Sequence, residues 1–125
     1  MANTLIQLEA NIKREITKLY KVIHGKGPKE TGVKIWGNIL IIKLTGSLTP
    51  LEDSLRHSAG GEELVHKIRD ILIVNENDYY TPLFEEVLET KVMDINYILG
   101  KEDSTLYIFS VFKESVVFTS CPPKK

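Results

Sequence analysis

The segment whose residue types best suit ligand binding is Gly25-Lys26-Gly27-Pro28-Lys29. Glycines let the backbone approach a ligand closely, and the lysines would attract an anion. The segment is not a phosphate loop of the Walker type, because the G-x-x-x-x-G-K-[ST] spacing is absent and the segment lies between a predicted helix and a predicted strand. Two interpretations stay open: a small-anion site, or a helix stop followed by a structured turn.

Three histidines and one cysteine are the other residues with potential metal or catalytic chemistry. His57 and His66 do not have the i, i+4 spacing that places two metal ligands on one helix face. We therefore predict that they and His24 are surface or cap residues. Cys121 stands beside two prolines near the end of the chain, a poor position for a nucleophile, and no G-x-S-x-G motif is present. The sequence thus predicts no enzyme, no metal site and no cofactor.

The composition is that of an ordinary globular domain, with 125 residues, 42% hydrophobic and 26% charged. We predict a single domain over residues 1–118 and a flexible C-terminal tail over residues 119–125. The formal net charge of -1 creates no overall attraction to nucleic acid or anionic lipid. One cysteine cannot form an internal disulfide. Neither a signal peptide nor a transmembrane segment is recognisable, so a cytoplasmic location is expected.

The N-terminal region is nevertheless locally basic. Such a surface could bind RNA, a lipid headgroup or an acidic partner, or it could be a solvated helix face. No aromatic pattern of the RNP type and no helix-turn-helix signature accompanies it, so nucleic acid is not the expected partner. The basic residues concerned are Lys13, Arg14, Lys18, Lys21, Lys26 and Lys29.

The elements that would position these residues begin with an amphipathic helix over residues 3–24. Asn3 is its predicted N-cap and Gly25 its stop. Residues 33–36 and 39–45 are predicted strands joined by Gly37-Asn38, which suits a type II′ hairpin turn. Residues 92–99 and 105–112 form a second predicted hairpin around residues 100–104, and residues 116–118 either extend a strand or leave the sheet.

The middle of the chain is predicted to be helical. Thr49 caps, Pro50 fits the first helical position, and Glu52 completes a capping box. This helix runs to about residue 58, a second covers residues 62–74, and Thr81-Pro82 starts another. Whether the helix is continuous through Gly60-Gly61 and Pro82 stays open.

The order α-β-β-α(α)-β-β predicts an α+β fold with two layers, in which helices cover one face of a four-stranded antiparallel sheet. The central strands are apolar on both faces. In residues 39–45, for example, Leu40, Ile42 and Leu44 alternate with Ile39 and Ile41. One helical layer covers only one face, so we predict a homodimer that buries the other.

Two motifs together resemble a bacterial family. They are G-K-G-P at residues 25–28 and L-T-G-S-L-T-P-L-E at residues 44–52, with Gly61 and Arg69 beyond them. The chain is similar over roughly residues 4–112 to the MpsC-like family, the C component of a sodium-translocating membrane-potential-generating system, formerly a domain of unknown function. The matching positions are Gly25, Gly27, Pro28, Thr49, Pro50, Glu52, Gly61 and Arg69.

The resemblance implies a small soluble protein associated with a membrane system that its partners build. No catalytic residue carries over from the family. Two positions depart from the family pattern: Glu62 stands where relatives often have a basic residue, and Tyr97-Ile98 where they tend to have an aspartate.

Arg69 is the open case among the shared residues, because it either extends into solvent or reaches an anion near the glycine segment. The candidate anion site therefore comprises Gly25, Lys26, Gly27, Lys29 and Arg69. The resemblance and the lack of catalytic groups predict a non-enzymatic accessory or regulatory protein, linked to a membrane-potential-generating or ion-transport system through a membrane-protein partner. The alternative is a small-anion, nucleotide or RNA-binding domain that uses residues 25–29.

Overall fold

The computed structural model describes residues 4–100 and 105–116. In chain order, its elements are α1 (Leu5–His24), β1 (Glu30–Trp36), β2 (Ile39–Thr45), α2 (Pro50–Arg56), α3 (Gly61–Leu88), β3 (Val92–Leu99) and β4 (Leu106–Phe112). The predicted order of helices and hairpins is confirmed. Most of the predicted loop at 100–104, Cys121 and the predicted tail lie outside the described residues.

The strands form one antiparallel sheet in the order β1-β2-β4-β3. The predicted central position of the second strand is confirmed, because β2 pairs with β1 on one side and β4 on the other. Trp36 pairs with Ile39 across a two-residue turn, and Gly37 has the positive φ (62°) that the first central position of a type II′ turn requires. After β4 the chain leaves the sheet, and the Val116 N–H donates to the Gly37 carbonyl (2.8 Å).

Helices α1 and α3 pack on one face of this sheet. Burial alternates along β2 and β4, since successive side chains of a strand point to opposite faces. The predicted two-layer α+β fold is therefore confirmed. The core combines helical residues with inward-facing strand residues, chiefly Leu8, Ile12, Ile16, Tyr80, Phe84, Leu88, Leu40, Ile42, Leu44, Leu106, Ile108 and Phe112.

The other face of the sheet is covered by none of the described helices, and we call it the open sheet face. The register places Ile39 opposite Val111 and Ile41 opposite Phe109 on this face. Trp36 lies on β1 at one end of the face, and Met93 is the extra residue of a bulge in β3. The residues that define the open sheet face are Glu30, Gly32, Lys34, Trp36, Ile39, Ile41, Lys43, Thr45, Met93, Asp94, Asn96, Ile98, Tyr107, Phe109 and Val111.

The start of α1 differs from the prediction by one residue. Thr4, and not Asn3, is the N-cap, because the Thr4 hydroxyl accepts the Gln7 N–H while the Gln7 side chain accepts the Thr4 N–H. Thr4 and Gln7 thus form a capping box, whereas three residues after Asn3 stands Ile6, which cannot complete one. The predicted stop at Gly25 is confirmed by its left-handed conformation (φ 77°).

The central helices also differ from the prediction. Helix α2 ends at Arg56, and Gly60 separates it from α3. Helix α3 then runs without interruption for 28 residues through Pro82, so the predicted restart at Thr81-Pro82 is wrong. A proline costs a helix one backbone hydrogen bond. Burial of Tyr80, Phe84 and Leu88 on both sides of Pro82 outweighs that cost.

Gly61 allows the close approach between α2 and α3. A Cβ atom at Gly61 would lie 1.6 Å from the Leu55 carbonyl oxygen, far inside van der Waals contact. Since the obstacle is backbone, it cannot be relieved by a rotamer change. Gly61 is therefore required at this position for a steric reason.

We expect Gly61→Ala to lower the free energy of unfolding by about 3 kcal/mol, because α2 and α3 must separate to admit the methyl group. Gly27→Ala is the matched control, because its new Cβ would meet only the Lys21 Cβ at an ordinary 3.8 Å. Urea unfolding of both variants measures the difference. Equal stabilities for the two variants would contradict the steric role of Gly61.

Candidate functional site

Among the described residues, Arg69 of α3 is the most buried charged side chain, at 1% exposed. Its Nε donates to Glu52 Oε2 (2.8 Å) and its Nη2 to Glu52 Oε1 (2.6 Å), so the pair is bidentate. Nη2 also donates to the Ser47 carbonyl (2.9 Å), and Nη1 donates to the Tyr20 hydroxyl (2.7 Å). The Tyr20 hydroxyl in turn donates to the same Ser47 carbonyl (2.7 Å). We call these four residues the arginine network.

Three members of the arginine network lie on, or next to, elements that local sequence patterns predict. Glu52 belongs to the predicted capping box of α2, which is confirmed: Thr49 N–H donates to Glu52 Oε1 (2.9 Å) and Glu52 N–H to the Thr49 hydroxyl (3.3 Å). Tyr20 follows Leu8, Ile12 and Ile16 on the buried face of α1. Ser47 lies between β2 and α2. The network therefore joins α1, α2, α3 and the β2–α2 loop.

The electrostatics of the network favour its charged form. Burial would raise the pKa of Glu52, but the hydrogen bonds from Arg69 and the Thr49 backbone outweigh it and hold this pKa below its ordinary value. Burial would likewise lower the pKa of Arg69, and the Glu52 carboxylate keeps it raised. Burial raises the pKa of Tyr20, partly offset by the nearby guanidinium. One positive and one negative charge thus compensate each other in the interior.

This arrangement stabilises the fold and leaves Arg69 little capacity for a ligand. Each guanidinium nitrogen already donates to a protein oxygen, and the two carboxylate oxygens accept from it. Of the two alternatives left open for Arg69, extension into solvent is wrong, because the side chain is buried. Its partner Glu52 stands 17 residues earlier in the chain and in another helix, so helical periodicity could not predict this pair.

A second buried polar cluster lies between α1 and α3. The His24 Nε2 atom is 3.0 Å from Glu76 Oε2, an ion-pair distance without the alignment of a hydrogen bond. Glu76 Oε1 accepts the Tyr80 hydroxyl (2.9 Å). Burial and the Glu76 carboxylate raise the pKa of Tyr80. Nearby, the Tyr97 hydroxyl donates to the Asn77 side chain.

The histidine prediction is therefore partly wrong. The His24 side chain is only 5% exposed, because it packs on the Tyr20 ring with centroids 4.2 Å apart and meets Glu76. His57 is the exposed C-cap of α2, as predicted. A signal for both buried clusters was present in the sequence: Val65, Arg69, Glu76 and Tyr80 share one helical face, which places two charges on the buried side of α3.

The structure separates the members of the predicted anion site. Gly25 is the C-cap of α1, and the Lys26 ammonium donates to the Gly46 carbonyl (3.2 Å). Arg69 donates to the next carbonyl, that of Ser47, so both cations bind the β2–α2 loop. Gly27 is half-buried beside Lys21, and Lys29 is exposed. Joint binding of an anion by these residues stays a prediction.

Lys29 instead lines an open depression at the edge of β1, which we call the β1-edge depression. Lys13 of α1 and Lys43 of β2 line it too, with Thr31, Thr45 and Glu30. The depression reaches from the helical side of the sheet around the edge strand to the open sheet face. The residues that line it are up to 32 positions apart in the chain, from Lys13 to Thr45.

Within residues 4–100 and 105–116, no three His, Cys, Asp or Glu side chains are grouped so that they could hold a metal ion. In the same part of the chain, no helix is both long enough and apolar enough to cross a lipid bilayer. Both statements are limited to these described residues.

The sequence of this chain matches one known protein family over most of its length. Residues 4–114 match the family described as the Na+-translocating membrane potential-generating system (MpsC). The match covers nearly the whole chain of 125 residues, so the chain belongs to this family. The resemblance carried by residues 25–28 and 44–52 is thereby confirmed. No curated protein and no solved structure matches the chain.

The arginine network makes a prediction for stability. Arg69→Met leaves the Glu52 carboxylate buried without its partner, so we expect the free energy of unfolding to fall by about 3–5 kcal/mol. Arg14→Met is the control, because it removes only exposed contacts, the pair with Glu15 and a hydrogen bond to Asn11, and should cost less than about 1 kcal/mol. Urea unfolding at neutral pH measures both.

The cost of Arg69→Met should also depend on pH. In the folded protein the pKa of Glu52 lies below its ordinary value of 4.5, so the pair stabilises the fold above that pH and ceases to do so as pH falls through the folded-state pKa. The wild-type protein and Arg69→Met should therefore approach the same free energy of unfolding in acid. A difference that does not narrow in acid would contradict the assignment of the effect to the Glu52 charge.

Proposed function

We propose that this chain is a non-enzymatic accessory or regulatory protein of a membrane-potential-generating or ion-transport system. It acts in the cytoplasm by binding other proteins and makes no bond to substrate. Membership of the MpsC family supports the association with such a system. Arg69 and Glu52 pair with each other in the interior and so are not available to a substrate, which supports a role without catalysis.

The single observation that carries the proposal is the open sheet face. Ile39, Ile41, Phe109 and Val111 form two adjacent apolar cross-strand pairs there and remain only half-buried. Trp36 beside them is 75% exposed and Met93 is 65% exposed. A contiguous apolar surface on a sheet is typical of a protein-binding site, because water contact with it is unfavourable.

The proposed occupant of this face is a second copy of the chain. A homodimer places the same surface on both partners, so the surface must complement itself. Lys34 of β1 and Asp94 of β3 flank the apolar pairs on opposite sides of the sheet. Around the apolar pairs, the face therefore carries Lys34 on one side and Asp94 on the other, whereas Glu30 and Lys43 lie nearer its other end.

This charge distribution favours one orientation of the two copies. If the two-fold axis runs parallel to the strands, β1 of one copy lies over β3 of the other, and each Lys34 lies over Asn96, two residues along β3 from Asp94. If the axis runs across the strands, β1 lies over β1 and the lysines oppose each other. Opposite charges attract and like charges repel across an interface, so the first orientation is the proposed one.

The functional proposal is tested in cells of the organism that encodes the chain. Loss of the chain should lower the membrane potential, read with a potential-sensitive dye in sodium medium, and the wild-type chain should restore it. Trp36→Ser/Met93→Ser should fail to restore it, because the open sheet face loses its exposed apolar side chains. The matched control is Ile6→Ser/Val22→Ser, which removes side chains 77% and 80% exposed on α1 and should restore the potential.

Unchanged potential after loss of the chain would refute the link to the membrane system. Full restoration by Trp36→Ser/Met93→Ser would refute the role of the open sheet face. Circular dichroism of both double variants distinguishes a binding defect from a folding defect, since all four residues are exposed.

The dimer is tested separately by sedimentation equilibrium. Lys34→Glu or Asp94→Lys alone should weaken dimerisation about tenfold, because two ion pairs worth up to about 1 kcal/mol each are lost. The double variant should restore it, and Lys18→Glu on α1 is the control. A monomeric wild-type protein, or tighter dimerisation by Lys34→Glu alone, would contradict the proposed orientation.

A further inference from the structure

We propose that the β1-edge depression binds a phosphate group of a small phosphorylated molecule. This inference goes beyond the proposed function and does not depend on it, because it concerns the edge of the sheet and requires no protein partner. The depression lies at the end of β1 where the strand begins, whereas Trp36 and the apolar centre of the open sheet face lie toward the other end.

The charge of the depression is the first argument. Lys13, Lys29 and Lys43 line it with Glu30, so three positive charges and one negative charge leave a net charge of +2. The whole chain has a formal net charge of -1, so this clustering does not follow from a general excess of lysine. Several lysines around one depression are suited to an anion with more than one negative charge.

The position of Lys29 is the second argument. A Cβ atom at Gly46 would lie 2.8 Å from the Lys29 Cγ atom, so the stem of Lys29 lies directly across Gly46. Gly46 also has a positive φ of 63°, which favours glycine. The Lys29 N–H donates to the Thr45 carbonyl (2.7 Å). The backbone of Lys29 is thus held by a hydrogen bond and its stem runs across Gly46, which directs its ammonium group toward the depression.

The edge of β1 supplies the third argument. Trp36 and Ile39 flank the two-residue turn and form a hydrogen-bonded pair, so Ile35, Val33 and Thr31 direct their N–H groups away from β2. The Ile35 N–H donates to a Glu9 carboxylate oxygen at 2.9 Å. One outward N–H of this edge therefore already binds an anionic oxygen. The Thr31 N–H has the same orientation, and Thr31 lines the depression together with the three lysines.

These groups differ from the anion site predicted from residues 25–29 and Arg69. Lys26 already donates to the Gly46 carbonyl, and Arg69 is paired with Glu52 in the interior. Lys29 is the member of the predicted set that lines the β1-edge depression. The ligand chemistry is a phosphate group that accepts from the Thr31 N–H and is neutralised by Lys13, Lys29 and Lys43.

The test is a titration of the ¹⁵N-labelled chain, followed by amide shifts. Pyrophosphate is the soluble probe, and vesicles of phosphatidylcholine with and without phosphatidic acid present the same phosphate chemistry as a lipid headgroup. The variants are Lys13→Ala, Lys29→Ala and Lys43→Ala. Lys18→Ala is the matched control, because Lys18 is an exposed lysine of α1 outside the depression.

We expect pyrophosphate, phosphatidic acid vesicles or both to shift the Thr31 amide, and each of the three variants to weaken binding about tenfold, the cost of one charge-assisted hydrogen bond. Lys18→Ala should bind as the wild type does. Binding of pyrophosphate identifies a soluble ligand, and binding of the vesicles alone identifies a lipid headgroup. The proposal is overturned if neither probe shifts Thr31, if the variants bind as the wild type does, or if only single-stranded RNA binds.

Discussion

The buried pair of Arg69 and Glu52 is the interaction on which the rest of this structure depends. Removing two charges from water is costly, and the cost is offset only when the geometry is good and the remaining donors are satisfied. Both conditions hold: the pair is bidentate, and Tyr20 and Ser47 take the other guanidinium donors. Since Glu52 also caps α2, a single carboxylate fixes the start of that helix against α1 and α3.

The surface features follow from this interior arrangement. Arg69 holds the Ser47 carbonyl and Lys26 holds the Gly46 carbonyl, so the β2–α2 loop has a fixed position. Lys29 then lies across Gly46 and reaches the edge of β1. The buried ion pair and the exposed lysines are therefore connected through the β2–α2 loop. Of the positions that match the family motifs, Thr49, Glu52 and Arg69 take part in this arrangement.

The two surfaces of the sheet have different chemistry. The open sheet face is apolar with flanking charges of opposite sign, which suits a protein partner, whereas the β1 edge is basic and offers outward N–H groups, which suits an anion. Glu9, which covers the Ile35 N–H, also protects part of this edge against pairing with another strand.

The sequence by itself determined the α+β class, the two hairpins, the capping box at Thr49 and the end of α1 at Gly25, because each depends on residues within a few positions of one another. It also predicted an anion site formed by residues 25–29 and Arg69, which stays a prediction. Only the tertiary structure decided that Arg69 pairs with Glu52, that His24 meets Glu76, that α3 continues through Pro82, and that Lys13, Lys29 and Lys43 share one depression. These outcomes depend on contacts between distant segments and on the burial they produce, neither of which local pattern encodes.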